Sequence, residues 1–172
     1  MQRRPATRAE ARALANPLRL RILRLCLDRS MTNEELAARL GRDAGSVLHH
    51  VRVLVETGFL AAEEERRGAR GSVERPYRST GKSWTLDVSD EEKSAARTGP
   101  GIAAVIDAFK AEVGEVPQEG VVELSRLAAR LQPEARDAFA ERLHALVEEI
   151  VAADDPDGEP YGFLFGMHRR AE

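Results

Sequence analysis

Apolar residues recur at helical spacing in three short segments near the N-terminus. The first segment spans residues 17–28, and Asn16 followed by Pro17 is typical of a helix start. The second follows a capping box at residues 32–35 and stops at Gly41, where a tight turn favours glycine. The third spans residues 43–56 and is amphipathic. We therefore expect three helices separated by tight turns.

A β-hairpin is predicted after the third helix. Residues 59–66 and 73–79 are predicted as two strands, and the glycine-containing basic segment 67–71 joins them as a flexible turn. Pro76 interrupts the second strand, so we expect that strand at an edge of the sheet. A further short strand is predicted at residues 84–88.

The C-terminal half carries apolar stripes on longer predicted helices, at residues 102–113, 117–131 and 133–153. An isolated stripe of this kind needs a partner that buries it. The stripes comprise Val105, Ile106, Phe109 and Val113; Val121, Leu124, Leu127, Ala128 and Leu131; and Phe139, Leu143, Leu146, Val147, Ile150 and Val151. The aromatic segment at residues 161–167 is expected to form a terminal strand or to dock on the core.

Charge divides the chain into two halves of opposite sign. Residues 1–84 hold 17 Lys and Arg against 10 Asp and Glu, whereas residues 85–172 hold 9 against 19. This asymmetry suggests an anion-binding module joined to an acidic one. The single cysteine, Cys26, excludes an intrachain disulfide and is expected to be a buried structural thiol. The charged N-terminus and the absence of a long apolar run indicate a cytoplasmic protein without a membrane span.

These elements predict a mainly α fold with a small β-hairpin wing. A winged helix-turn-helix would occupy residues 8–84, and a helical dimerisation region would follow at residues 85–172. The third helix presents Gly45, Ser46, His49 and Val53 opposite its apolar face. In this fold that helix enters the major groove of double-stranded DNA, and the wing approaches the minor groove. The candidate DNA-binding residues are Arg42, Ser46, His49, His50, Arg52, Arg66, Arg67, Arg70 and Arg75.

Three stretches of the first half resemble the DNA-binding domain of ArsR-type winged-helix regulators. They are ALANPLRLRIL at residues 13–23, TNEELAARL at residues 32–40 and SVLHHVRVLVETGFL at residues 46–60. The resemblance covers residues 8–80. It implies a homodimeric repressor that binds a palindromic operator and is released by an effector, with residues 43–56 as the recognition helix and residues 66–75 as the basic wing.

The chain departs from this family in two ways. It lacks the paired cysteines of the metal-sensing members, so a thiolate metal site is not expected. Glu141, His144 and Glu148 share a helix face, but we interpret them as a solvated surface and predict no metal. The second departure is the extra length. Longer relatives use such helices to enlarge the dimer interface or to form an effector pocket, and both uses stay open here. The candidate dimerisation residues are Val105, Ile106, Phe109, Phe139, Leu143, Leu146 and Ile150.

Other functional classes have less support. The sequence contains no nucleophile elbow, phosphate-binding loop or paired metal-ligand motif, so we expect neither an enzyme nor a cofactor. The alternative is an interaction module, in which the winged helix binds protein or RNA and the acidic half docks on a partner. A small-molecule effector stays unidentified in either case.

Overall fold

The computed structural model describes residues 4–68, 73–87, 100–125, 127–155 and 157–169. It divides into two compact units, residues 1–116 and residues 117–172. We expected the boundary after Trp84 instead. The difference arises because a helix beyond that point packs on the N-terminal helices at Arg8–Leu14 and Pro17–Asp28.

Five helices build the described part of the first unit. They are α1 (Arg8–Leu14), α2 (Pro17–Asp28), α3 (Asn33–Leu40), α4 (Ala44–Glu56) and α5 (Pro100–Val113). Side chains fix the starts of the first three: Thr7 and Thr32 form capping boxes, and the Asn16 side chain accepts from the amide of Arg19. These caps confirm the predicted starts of α2 and α3.

Short strands complete the first unit. They are β1 (Arg4–Pro5), β2 (Met31–Thr32), β3 (Leu60–Ala62), β4 (Arg66–Arg67), β5 (Val73–Glu74), β6 (Pro76–Ser79) and β7 (Leu86–Asp87). Strand β6 lies between β2 and β3 in an antiparallel sheet, and β4 pairs with β5 to extend the same hairpin. The predicted hairpin is therefore confirmed, and its two strands are each divided in two.

The expectation for Pro76 was wrong. Its strand β6 is the central strand of the three-stranded sheet rather than an edge strand. Pro76 is tolerated there because it is the first residue of the strand, and its carbonyl still accepts from the amide of Glu63 at 2.9 Å. The strand predicted at residues 84–88 is also shorter: Lys82–Thr85 forms a 3₁₀ turn, and only Leu86–Asp87 pairs, in parallel, with β1.

An apolar core holds α1 to α4 and the sheet together. Its fully buried side chains include Ile22, Leu36, Val47, Val51, Leu54 and Phe59. Cys26 is also buried, and this burial raises the pKa of its thiol to about 12. The interpretation of Cys26 as a structural thiol agrees with this environment, because a protonated buried thiol is a poor nucleophile.

One buried carboxylate ties the N-terminal segment to this core. Glu10 on α1 is 5% exposed and lies 2.6 Å from a guanidinium nitrogen of Arg4 and 2.8 Å from the ammonium group of Lys82. It also accepts from the amide of Thr7 at 2.8 Å. Chiefly the bond from Arg4 holds the pKa of Glu10 well below its ordinary value. The sequence analysis did not single out Glu10.

Helix α5 packs on α2 and α1 through its smallest residues. Gly101, Ala104 and Ala108 are buried at the spacing of one helix face. The larger apolar side chains of α5 point elsewhere: Val105 is 41% exposed and Ile106 is 52% exposed. The face that attaches α5 to the core is therefore not the stripe that the sequence analysis singled out.

The second unit contains a long helix, α6 (Pro133–Ala152), as predicted within one residue. The helix expected at residues 117–131 was wrong: a 3₁₀ turn at Gln118–Gly120 is followed by irregular, exposed chain. The segment at residues 161–167, expected to form a terminal strand or to dock on the core, is irregular and exposed. No helix in the described ranges is long and apolar enough to cross a membrane.

Candidate nucleic-acid interface

The turn between α3 and α4 is held by local hydrogen bonds. Gly41 ends α3 in the left-handed conformation, with a φ of 61°, as predicted. Its amide donates to the carbonyl of Ala38, and the amide of Arg42 donates to the carbonyl of Ala37 at 3.0 Å. Because only glycine adopts this backbone without strain, a short turn can set the angle between the two helices.

Asn33 adds a link that the sequence analysis missed. Its side-chain nitrogen donates to the carbonyl of Ala44 at 2.9 Å, which joins the start of α3 to the start of α4. Asp43 then caps α4 by accepting from the amide of Ser46 at 2.8 Å. The first turn of α4 is thus fixed from both sides. The position of Asn33 in the first turn of α3, directly after the cap residue Thr32, could have indicated that its side chain makes such a bond.

Helix α4 has one buried and one exposed side. Val47, Val51 and Leu54 are fully buried against the core. On the other side Gly45, Ser46, His49, Arg52 and Glu56 are exposed, and Arg42 is exposed just before the helix. Val53, expected on the outer face, is instead half-buried against the core. The outer face is therefore polar, carries one arginine and begins with a glycine.

His50 is a packed side chain at the margin of that face. It is half-buried, its Nδ1 atom is buried without a hydrogen-bond partner among the described residues, and its ring meets that of His49 edge to face at 5.6 Å. Burial, with Arg19 and His49 nearby, lowers the pKa of His50. The neutral imidazole is favoured, so this residue contributes no positive charge near neutral pH.

The hairpin is less basic than its arginines suggested. Arg66 lies 3.1 Å from a carboxylate oxygen of Glu35 and 3.3 Å from one of Glu74, and Arg75 pairs with Glu65. Arg67 is exposed and forms no ion pair within the described ranges. The predicted contact Arg70 lies outside the described residues. The acidic run at residues 63–65 was the signal that neighbouring glutamates would neutralise part of the wing.

Glu35 joins the hairpin to the helix-turn-helix. One oxygen accepts from the amide of Thr32 at 2.7 Å and closes the capping box of α3, while the other contacts Arg66. The bond from the Thr32 amide is the main reason that the pKa of Glu35 is lowered. A single carboxylate therefore fixes both the start of α3 and the base of the hairpin.

The predicted dimerisation residues are accessible to different degrees. Val105, Ile106, Phe139 and Leu146 are exposed, whereas Phe109, Leu143 and Ile150 are half-buried. Glu141, His144 and other acidic or histidine side chains do not gather into a metal-binding group of three anywhere in the part of the chain that the structure describes.

A helix-turn-helix family model matches residues 14–62, which span α2, α3, α4 and β3. The matched helices are followed directly by the antiparallel hairpin. The first unit is a winged helix-turn-helix domain. This is the architecture of DNA-binding transcription regulators, in which the helix corresponding to α4 is the recognition helix.

Among solved structures, reduced HlyU from Vibrio cholerae is similar to this chain, with 21% identity and a TM-score of 0.34. The similarity covers 55% of this chain and 77% of HlyU. No curated protein is significantly similar to the chain in sequence.

Proposed function

We propose that this protein is a homodimeric transcriptional repressor, a binding protein rather than an enzyme, that recognises a palindromic DNA operator. Helix α4 enters the major groove and the hairpin follows the backbone into the minor groove. The observation that carries the proposal is the exposed polar face of α4 on a helix whose first turn is fixed by Asn33 and Asp43. A fixed, solvent-facing helix start is what groove recognition requires.

The side chains of this face suit two kinds of contact, one to base edges and one to phosphates. Ser46 and His49 offer hydroxyl and imidazole groups that bond to base edges, and exposed Gly45 lets the helix backbone approach the duplex. Arg42 and Arg52 lie at the margins and suit phosphate contacts, which set affinity rather than sequence preference. Arg67 and Arg70 would extend those contacts along the wing.

The proposed dimer rests on the uncovered apolar surface of α5. Ile102, Val105 and Ile106 are 51%, 41% and 52% exposed, respectively, on a helix whose other side is anchored to α1 and α2. A second copy that covers this surface would produce the two-fold symmetry of a palindromic site. Repression and release by an effector follow the resemblance to ArsR-type regulators, and the second unit is the proposed site of effector action.

The deciding experiment is selection of bound sequences from random duplexes by the purified full chain. A palindromic consensus is expected, with affinity that falls steeply as salt rises because phosphate contacts release counterions. Recovery of random sequences with no salt-dependent binding would contradict the proposal.

Two variants separate affinity from specificity. Arg67→Ala together with Arg70→Ala should weaken binding to all duplexes and reduce the salt slope, by roughly one unit for each phosphate that is no longer neutralised. His49→Ala should change the selected sequence. Arg130→Ala removes an exposed arginine from the second unit and serves as the control, with binding unchanged. Unchanged binding and preference in all three would refute the assigned interface.

A module that binds protein or RNA is the second candidate. The ion pairs of Arg66 and Arg75 with glutamates favour it, because they neutralise two of the arginines that would otherwise contact phosphates. The same salt titration distinguishes the two, since a protein-binding module shows no affinity for duplex DNA.

A further inference from the structure

The second unit has apolar side chains but no core among its described residues. None of these residues is buried, including those of α6. Along one side of α6, Phe139 is 48% exposed and Leu146 is 43% exposed. These residues line a shallow depression together with Arg142, Leu143, Ala145 and Glu149. This partly apolar surface is free to be covered by a partner helix.

The charged side chains along this surface are arranged so that two antiparallel copies of the helix bring opposite charges together. Arg142 and Glu149 lie at equal distances on either side of a point between Ala145 and Leu146. The same point relates Leu146 to the small Ala145, and Phe139 to the small Ala152. Reversing the helix therefore brings Arg142 level with the partner's Glu149, and brings Phe139 and Leu146 each level with an alanine.

We propose that α6 pairs with α6 of a second copy in antiparallel orientation, with each Arg142 facing the partner's Glu149. This inference rests on the proposed homodimer and adds a second contact to it. The paired stretch from Phe139 to Ala152 would extend for about 20 Å, with the small Ala145 allowing close approach at the centre. A parallel pair would instead bring Arg142 to Arg142 and Glu149 to Glu149, which repel.

The charged groups are placed for this role. The guanidinium of Arg142 lies 5.8 Å from the centre of the Phe139 ring, which holds it along the apolar surface rather than away from it. Neither Arg142 nor Glu149 forms an ion pair with any residue in the described ranges. Both are thus available to a partner helix.

Cysteine cross-linking of the full chain tests the orientation. Ala145→Cys should cross-link to its equivalent with a short bis-maleimide, because antiparallel pairing brings the two positions to opposite sides of one helix contact. Ala138→Cys should not, because its equivalent would lie about 22 Å away along the axis. Wild type is the control, since buried Cys26 has a thiol pKa of about 12 and reacts slowly.

Charge reversal tests the pairing itself. Arg142→Glu in the Ala145→Cys background should reduce the cross-linked fraction roughly tenfold, because two ion pairs become two repulsive contacts. Glu149→Arg should do the same, and the double reversal should restore cross-linking. Equal cross-linking through Ala138→Cys, or single reversals without effect, would overturn the antiparallel arrangement.

Sedimentation of the same proteins separates this inference from the proposed function. A dimer that fails to cross-link through Ala145→Cys overturns α6 pairing and leaves the operator-binding dimer standing. A monomeric mass at all concentrations overturns both. Duplex selection reports on DNA binding independently of either result.

Discussion

Helices α4 and α6 carry similar amphipathic patterns but end in different environments. In α4, Val47, Val51 and Leu54 are fully buried against α2, α3 and the sheet. In α6, no residue is buried. The first unit supplies its own partners within one chain, whereas the second does not among the residues described. An apolar stripe thus identifies which side of a helix needs covering and leaves the covering surface undetermined.

The N-termini of these two helices also differ, because only α4 has a side-chain cap. Asp43 caps α4 through its side chain, and Thr7, Asn16 and Thr32 do so for the three preceding helices. Helix α6 starts at Gln132 and Pro133 without a side-chain cap. Caps contribute about 1 kcal/mol each, so the first unit is stabilised locally as well as by its core.

Truncating one leucine in each unit should give the largest difference in stability between the two units. Leu54→Ala opens a cavity in the core and is expected to cost about 2–5 kcal/mol in the free energy of unfolding. Leu124→Ala, at a residue that is 78% exposed in the second unit, should change it by less than about 0.5 kcal/mol. Urea denaturation followed by circular dichroism measures both. Equal losses would show that the second unit has a core after all.

A buried and an exposed carboxylate provide the next test. Glu10→Gln removes the charge that Arg4 and Lys82 contact and should cost about 1–3 kcal/mol at neutral pH, because hydrogen bonds between charged groups are weakened. Glu141→Gln in the second unit is the control, with an effect of less than about 0.5 kcal/mol.

The pH dependence of the Glu10 effect has a definite sign. Because folding lowers the pKa of Glu10, its contribution is present above the ordinary glutamate pKa of 4.5 and is lost as the pH falls below that value. The stability difference between wild type and Glu10→Gln should therefore shrink on acidification. Denaturation midpoints at a series of pH values measure it, and a constant difference would contradict the assignment.

The smallest expected effect concerns two glycines. An added Cβ meets no atom within 4 Å at either Gly41 or Gly166, but only Gly41 has a left-handed backbone. Gly41→Ala should cost about 1 kcal/mol of unfolding free energy, from backbone strain alone. Gly166→Ala should be close to neutral. Thermal unfolding of the two variants compares them, and a neutral Gly41→Ala would mean that the turn is not strained by a side chain.

The features that sequence predicted well are those determined by near neighbours. Asn16, Thr32 and Gly41 fix helix ends through bonds within a few residues, so the bounds of α2, α3 and α4 followed from local chemistry. The exposed face of α4 followed from periodicity. The prediction that its residues contact DNA, and that α5 and α6 form a dimer, stays untested.

The features that sequence missed depend on distant partners. Residues 117–131 have helical periodicity, but beyond the 3₁₀ turn at Gln118–Gly120 their described residues are irregular and exposed. Small residues attach α5 to the first unit, a contact that apolar periodicity of large side chains does not reveal. The pairing of Arg66 with Glu35 joins positions 31 apart in sequence, so the charge of the wing could not be obtained from its own segment.

One small contact adds to the packing that holds α5, the proposed dimer helix, on the first unit. Glu115, just after α5, pairs with Arg21 on α2 and lies 2.9 Å from Arg39 on α3. It braces the proposed dimer helix against the helix that supports α4. Two such braced subunits would hold their recognition helices at one fixed separation, so the operator should tolerate base changes between its half-sites but not inserted base pairs. Spacer length, rather than spacer sequence, would then be the strictest requirement on the DNA.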